Sequence, residues 1–426
     1  MMNTNHSVHY SIVLAIWLAM VLTNPSVQAC TGFMMTDGKV VLVGNNEDSK
    51  IPFTRVWFIP AEKNRFGRVY FGYDNWSPQG GMNDQGLFFD YFSVPWLGIK
   101  QSEEKPRFTG PFTDTMMADC ATVGDVLEMV SKYNLDWNPK AQMFIVDKSG
   151  DAAIIEGETI VRKRDSYQVV TNFRISRIPE DQWPCEAPAW SCSRYKRAKR
   201  MLLDCDGPTV PNFRKILKAT HRSSYNIIGT TQYSNIYDLT HGDIYAYFLH
   251  DFDNEIAFNL NEELKKGCHY YDLPSLFGKE LEYDIQVYTH SSPDFSISYP
   301  KHYKIKKPTS NEVLRVRNPL GDTPQIAVYV EDKPDDIQLN DIGPQYFYSK
   351  LEEFSTDVKL VSSKQTVLKD GTPSVEILFD IVVDDIWALK TLILSTYRKD
   401  KLIFASVISL AHPEALRDCL YSMQFN

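Results

Sequence analysis

The 426-residue chain has very little long apolar sequence. Its one extended hydrophobic run, Ser11 to Thr23, is too short to cross a bilayer, which takes about 20 residues. Val27-Gln28-Ala29 then offers small residues at the two cleavage positions, so residues 1–29 read as a signal peptide, although its leading part has histidines rather than lysine or arginine. Positive charge is scarce too: 45 Lys and Arg against 54 Asp and Glu leave a net charge of −9. With no basic patch interleaved with aromatics, nucleic acid is excluded as a partner. No paired CxxC spacing occurs among the seven cysteines, so no metal and no other cofactor is expected. The mature chain is expected to be exported, periplasmic or secreted.

What is present suits a packed globular protein: 43% apolar and 13% aromatic residues, in a length that asks for two domains. The organising stretch runs from Ala29 to Lys50, ACTGFMMTDGKVVLVGNNEDSK. Phe33 to Val43 reads as a β-hairpin turning at Thr36-Asp37-Gly38, and it should bring Cys30 close to Asp48 in the polar knot Gly44-Asn45-Asn46-Glu47-Asp48.

If cleavage makes Cys30 residue one, thiol and α-amine sit on the same residue. Their reference pKa values, about 8.5 and about 7.7–8.0, put both near titration at neutral pH. A terminal amine is then a legitimate base for the thiol, and Asp48 is suited to orient it. Two other readings stand beside this one: a buried apolar cysteine at a strand start, and a lipid-anchored cysteine. Gln28 fits lipidation poorly. If Cys30 is the free nucleophile, Cys120, Cys185, Cys192, Cys205, Cys268 and Cys419 remain for an oxidising compartment to pair, and Cys185 with Cys192 is the pair that spacing favours.

Four motifs in order, CTGF…GNNED, GGMNDQGLFFDYFSVP from Gly80, VVTNF from Val169 and SRYKRA from Ser193, resemble the choloylglycine hydrolase family. Its members include bile-salt hydrolases and penicillin V acylases, N-terminal-nucleophile hydrolases of linear amide C–N bonds. The resemblance spans roughly Cys30 to Phe277. It implies Cys30 as nucleophile, Asp48 as the aspartate that holds the amine, Asn172 as the oxyanion-hole amide and Arg194 as the active-site arginine. Ser93 falls near the second oxyanion donor. Asn45 stands where the family often has arginine, a departure that bears on substrate binding and disfavours bile-salt and penicillin specificity. Read without the resemblance, Asn172 is a turn cap and Arg194 a solvated residue of a basic helix over Ser193 to Leu203.

Further along, Thr122 caps a helix to Tyr133, Ala141 to Val146 and Ala152 to Glu156 read as strands, and Ile160 to Val170 delivers Asn172. Thr230 to Leu239, Asp243 to His250 and Glu255 to Asn259 are late strands. The fold class expected is α+β: a four-layer αββα N-terminal-nucleophile hydrolase sandwich over 30–284, then a smaller α+β domain over 285–426. Val375 to Val383 alternates as a half-buried strand, and a helix closes the chain, a pattern that resembles the PsbP-like fold. No catalytic constellation occurs there.

The function expected is hydrolysis of a small-molecule N-acyl amide. Acyl transfer on the same site and an inactive surface lipoprotein or binding module are the alternatives. A membrane contact is expected only if Cys30 is lipidated, and self-association stays open.

Overall fold

The structure is a computed structural model that describes residues 30–98, 102–134, 140–177, 189–223, 229–309, 312–321, 323–333, 342–353, 355–383 and 387–425. The leader and Cys185 lie outside the described residues. The chain forms two compact units, one of residues 1–52, 82–105 and 120–266, the other of 53–81, 106–119 and 267–426. Asp284, the cut expected from the sequence, lies inside the second unit.

The first unit begins with the expected hairpin, β1 (Thr31–Thr36) and β2 (Val41–Ser49). Asp37 Oδ1 accepts from the backbone N–H groups of Lys39 and Val40, both at 2.9 Å, which closes the turn. The polar knot is not a loop: β2 runs on through it, buried along its whole length. The strands that follow are β3 (Phe88–Ser93), β4 (Ala141–Val146), β5 (Ala152–Glu156), β6 (Thr159–Arg162), β7 (Tyr167–Val170), β8 (Thr230–Asp238), β9 (Asp243–Phe248) and β10 (Ile256–Asn259). One sheet has the order β7-β1-β2-β8-β9-β10 and is antiparallel throughout. A second antiparallel run is β3-β4-β5-β6. The stretch expected as one strand from Ile160 is two, β6 and β7, separated by a turn.

The longer helices are α1 (Val123–Lys132), α2 (Ala189–Asp204) and α3 (Val210–Thr220). Thr122 is the N-cap of α1, as its sequence predicts, and the structure adds Asp125 to make a capping box. Apolar residues of α2 and α3 (Ala198, Leu202, Phe213, Ile216) bury against Phe33, Leu42 and Ile236 on one face of the first sheet. Its other face meets the second strand run, where the Phe88 and Tyr237 rings lie 4.9 Å apart. Helix pair, sheet, sheet is the layering that these contacts establish. The fourth layer of the expected sandwich is not among them.

Gly32 explains why the CTGF motif needs a glycine. A Cβ there would come within 2.5 Å of Phe92 Cζ on β3, so a side chain would force the two strand layers apart.

In the second unit, strands His269–Asp272, Thr54–Ile59 and Arg68–Tyr73 pair antiparallel in that order. Buried Arg55 donates to Asp272 Oδ1 at 2.8 Å and lies 4.4 Å from the Trp76 ring centroid. A seven-stranded antiparallel sheet dominates the rest, running from Lys304–Ile305 to Asp357–Val367. Val375, Ile377, Phe379 and Ile381 bury on one side against Phe347 and Leu351 of helix Pro344–Glu352, as the alternation predicts. The other side packs on Leu416, Leu420 and Met423 near the chain end. The closing helix is shorter than expected, a 3₁₀ turn Pro413–Leu416 followed by Arg417–Tyr421. Strand Ile285–Ser291 opens the part expected as the second domain, and its residues are largely exposed.

Candidate active site

The site grows from the register of the hairpin. Thr31 pairs with Asn46 and Gly32 with Asn45, so Cys30, one step earlier, stands opposite Glu47. Successive strand residues point to opposite faces, and this divides the polar knot in two. Asn46 and Asp48 face the helices. Asn46 Nδ2 donates to the Leu217 carbonyl at 3.1 Å and to Thr220 Oγ1 at 3.0 Å, and Ser234 Oγ donates back to Asn46 Oδ1 at 2.6 Å. Glu47 and Asn45 take the other face, toward β3.

Asp48 is fully buried. Its Oδ2 accepts from Arg194 Nη1 at 3.0 Å and its Oδ1 from the Thr231 hydroxyl. Burial pushes its carboxyl up to about 6, against the opposing pull of the Arg194 guanidinium and the Thr231 hydroxyl. Arg194 lies within α2 and is only 8% exposed, not the solvated residue that a basic helix suggests. Its Nη2 donates to Asn172 Oδ1 at 3.1 Å, so one planar guanidinium spans two residues that are far apart in the chain. Burial lowers its pKa, and Asp48 and Cys30 oppose that shift.

Asn172 follows β7 directly. Its backbone N–H donates to Ser191 Oγ at 3.0 Å, which ties it to the first turn of α2. Its Nδ2 donates to the Ser93 carbonyl at 2.9 Å. Ser93, expected near the second oxyanion donor, thus enters the network through its carbonyl as an acceptor. Asn45 is buried, and its Oδ1 finds no hydrogen bond among the described residues.

Cys30 is 1% exposed, and its Sγ donates to Glu47 Oε2 at 3.1 Å. Burial, then Glu47, Asp48 and Asp90, push the thiol well above its usual value, and the Asp48 backbone N–H opposes them. Asp90 on β3 is fully buried, and neither oxygen accepts a full hydrogen bond among the described residues. Burial and then Glu47 push its carboxyl well up.

The structure therefore brings Cys30, Asp48, Asn172, Arg194 and Ser93 into one neighbourhood, with Asn45 on the flanking strand. Glu47, Asp90 and Thr231 are the residues that motif reading passed over. Glu47 was readable in principle, since strand alternation through the knot puts it on the face opposite to Asp48. Asp90 was signalled by an acid inside the aromatic run LFFDYF.

Among the described residues, no group of three or more His, Cys, Asp or Glu is arranged to hold a metal. Cys192 is disulfide-bonded, and its expected partner Cys185 falls outside the described residues. Cys120, Cys205, Cys268 and Cys419 carry no disulfide, unlike the fuller pairing that an oxidising compartment allows. No helix among the described residues is long and apolar enough to cross a membrane.

No family model matches the chain, and no curated protein does. Among solved structures, the chain is similar to penicillin V acylase from Agrobacterium tumefaciens, with 18% identity and a TM-score of 0.44, over 57% of this chain and 92% of that one. It is also similar to a mutant of conjugated bile acid hydrolase from Clostridium perfringens, with 17% identity and a TM-score of 0.45, over 57% and 96%. It is similar as well to PsbP from Synechocystis sp. PCC 6803, with 15% identity and a TM-score of 0.29, over 34% of this chain and 95% of that one.

Proposed function

We propose that the protein is an exported hydrolase of linear amide C–N bonds with Cys30, as the mature N-terminus, for nucleophile. The observation that carries this reading is the buried fork of Arg194, which holds Asp48 at 3.0 Å and Asn172 at 3.1 Å around the start of the Cys30 strand. Nucleophile, amine anchor and oxyanion amide come from three separate segments. Bringing them together takes one buried ion pair, whose two charges must be drawn out of water.

In this reading Cys30 attacks the carbonyl carbon of an N-acyl amide. The side-chain amide of Asn172 stabilises the oxyanion, and the α-amine, oriented by Asp48, manages the thiol proton. As the C–N bond breaks, the departing nitrogen takes a proton and an acyl thioester stays on Cys30. Water then attacks the thioester, releasing the acid and restoring the thiol. The four ordered motifs support the choice of an amide over other acyl compounds.

The test is the N-terminal mass of the protein expressed with its leader, before and after iodoacetamide, followed by a screen of N-acyl amides. A chain that starts at an unmodified, alkylatable Cys30 and turns over an amide is the expected result. A chain that starts elsewhere, or that carries lipid on Cys30, overturns the reading.

A further inference from the structure

We propose that Glu47 is a further catalytic residue, the acceptor of the Cys30 thiol proton, resting on the reading of Cys30 as the nucleophile. The argument starts from the sulfur. Cys30 Sγ donates to Glu47 Oε2 at 3.1 Å, with both residues about 1% exposed. Asp48 does not compete for this proton, because its two carboxyl oxygens are taken by Arg194 and Thr231 on the opposite face of β2. Asn172 is an amide and cannot act as a base at neutral pH.

The surroundings also decide how the sulfur must react. Cys30 is buried among Glu47, Asp48 and Asp90, so a resting thiolate is disfavoured. The proton must then leave as the sulfur attacks, and it needs an acceptor already in hydrogen-bond reach. Glu47 holds that place. Asp90 faces the same space from β3 with both oxygens short of donors. Burial and then Glu47 push the Asp90 carboxyl well up, which favours its protonated form. Tyr237, whose phenol is also held neutral by burial, closes this face from β8.

The step balances without a further reactant. The S–H bond breaks, its proton passes to Glu47 Oε2, and the sulfur bonds the carbonyl carbon. Glu47 then returns that proton to the departing nitrogen as the C–N bond breaks. In deacylation it takes a proton from water and gives it back to the sulfur. The α-amine acts on the same proton, and its share is what remains when Glu47 is neutralised.

The test is the rate of Cys30 alkylation by iodoacetamide in the mature protein across pH 6 to 9, for the wild type, Glu47→Gln and Glu47→Asp. An acceptor role predicts that Glu47→Gln slows alkylation by about tenfold or more at neutral pH and that Glu47→Asp recovers most of the rate. A carboxylate that only repels the thiolate predicts the reverse: Glu47→Gln would then react faster, and that outcome overturns the proposal. An unchanged rate overturns it as well. If neither variant folds, the wild type still decides: a rate that climbs tenfold per pH unit with no plateau leaves no place for an internal base. Alkylation needs no substrate, so it separates the two claims. Glu47-dependent alkylation without amide turnover removes the hydrolase reading alone, and full amide turnover by Glu47→Gln removes the Glu47 assignment alone.

Discussion

Arg194 Nη2 donates to Asn172 Oδ1 at 3.1 Å while its Nη1 holds Asp48 at 3.0 Å. This fork makes the orientation of the Asn172 amide depend on an ion pair behind it. With Oδ1 held by Arg194, the amide nitrogen of Asn172 is turned to the other side, where it meets the Ser93 carbonyl.

Arg194→Lys keeps the charge and loses the fork. A single ammonium cannot reach both partners in fixed geometry. The expected outcome is a fall in kcat of about a hundredfold, with the fold kept in thermal melts. Arg194→Met leaves Asp48 buried and unpaired and should cost about 3–5 kcal/mol in denaturant titrations. Wild-type kcat in Arg194→Lys would remove the fork from the mechanism.

Asn172→Ala removes the proposed oxyanion donor. A loss of about a hundred- to a thousandfold in kcat is expected on amide substrates, with near-native circular dichroism. Full turnover would assign the oxyanion hole elsewhere.

The pH dependence follows from Asp48. In the folded protein its carboxyl is pushed up to about 6, from an ordinary value of 3.8. The sign is that of a raised group: its contribution to stability is fully present below 3.8 and is lost as pH rises through about 6. Acid therefore does not unfold the protein through this residue. It does neutralise the partner of Arg194, so activity should fall below about pH 6 while the melting temperature holds. Parallel pH series of kcat/KM and of thermal melts check this, and a melting temperature that falls together with activity in that window would contradict it.

Gly32→Ala tests the layer contact. The new Cβ would meet Phe92 Cζ at 2.5 Å, and the overpacking should cost about 1–3 kcal/mol. Phe92→Leu should recover part of that loss when combined with it, because the two sites touch. Additive costs from the two changes would show that the contact is not the cause.

Much of this was legible in one dimension because its causes are local. The hairpin follows from a turn sequence between apolar strands, helix α1 from the Thr122 cap, and the 375–383 strand from alternation with period two. Misses fell where local cues were weak. The exposed strands Ile285–Ser291 and Asp357–Val367 have no buried side that would write a pattern. The basic composition of α2 pointed Arg194 toward water.

The sequence by itself determined the nucleophile candidate, the hairpin that carries it and the order of the motifs, since these depend on neighbours along the chain. Only the tertiary structure decided how the knot divides. The pleat turns Asp48 to the helices and Glu47 to the sulfur, while β3 adds Asp90 from 43 residues beyond Glu47. Register and sheet stacking are long-range, and a one-residue slip would exchange the two faces. That is why motif reading found Asp48 and only the fold could put Glu47 beside Cys30.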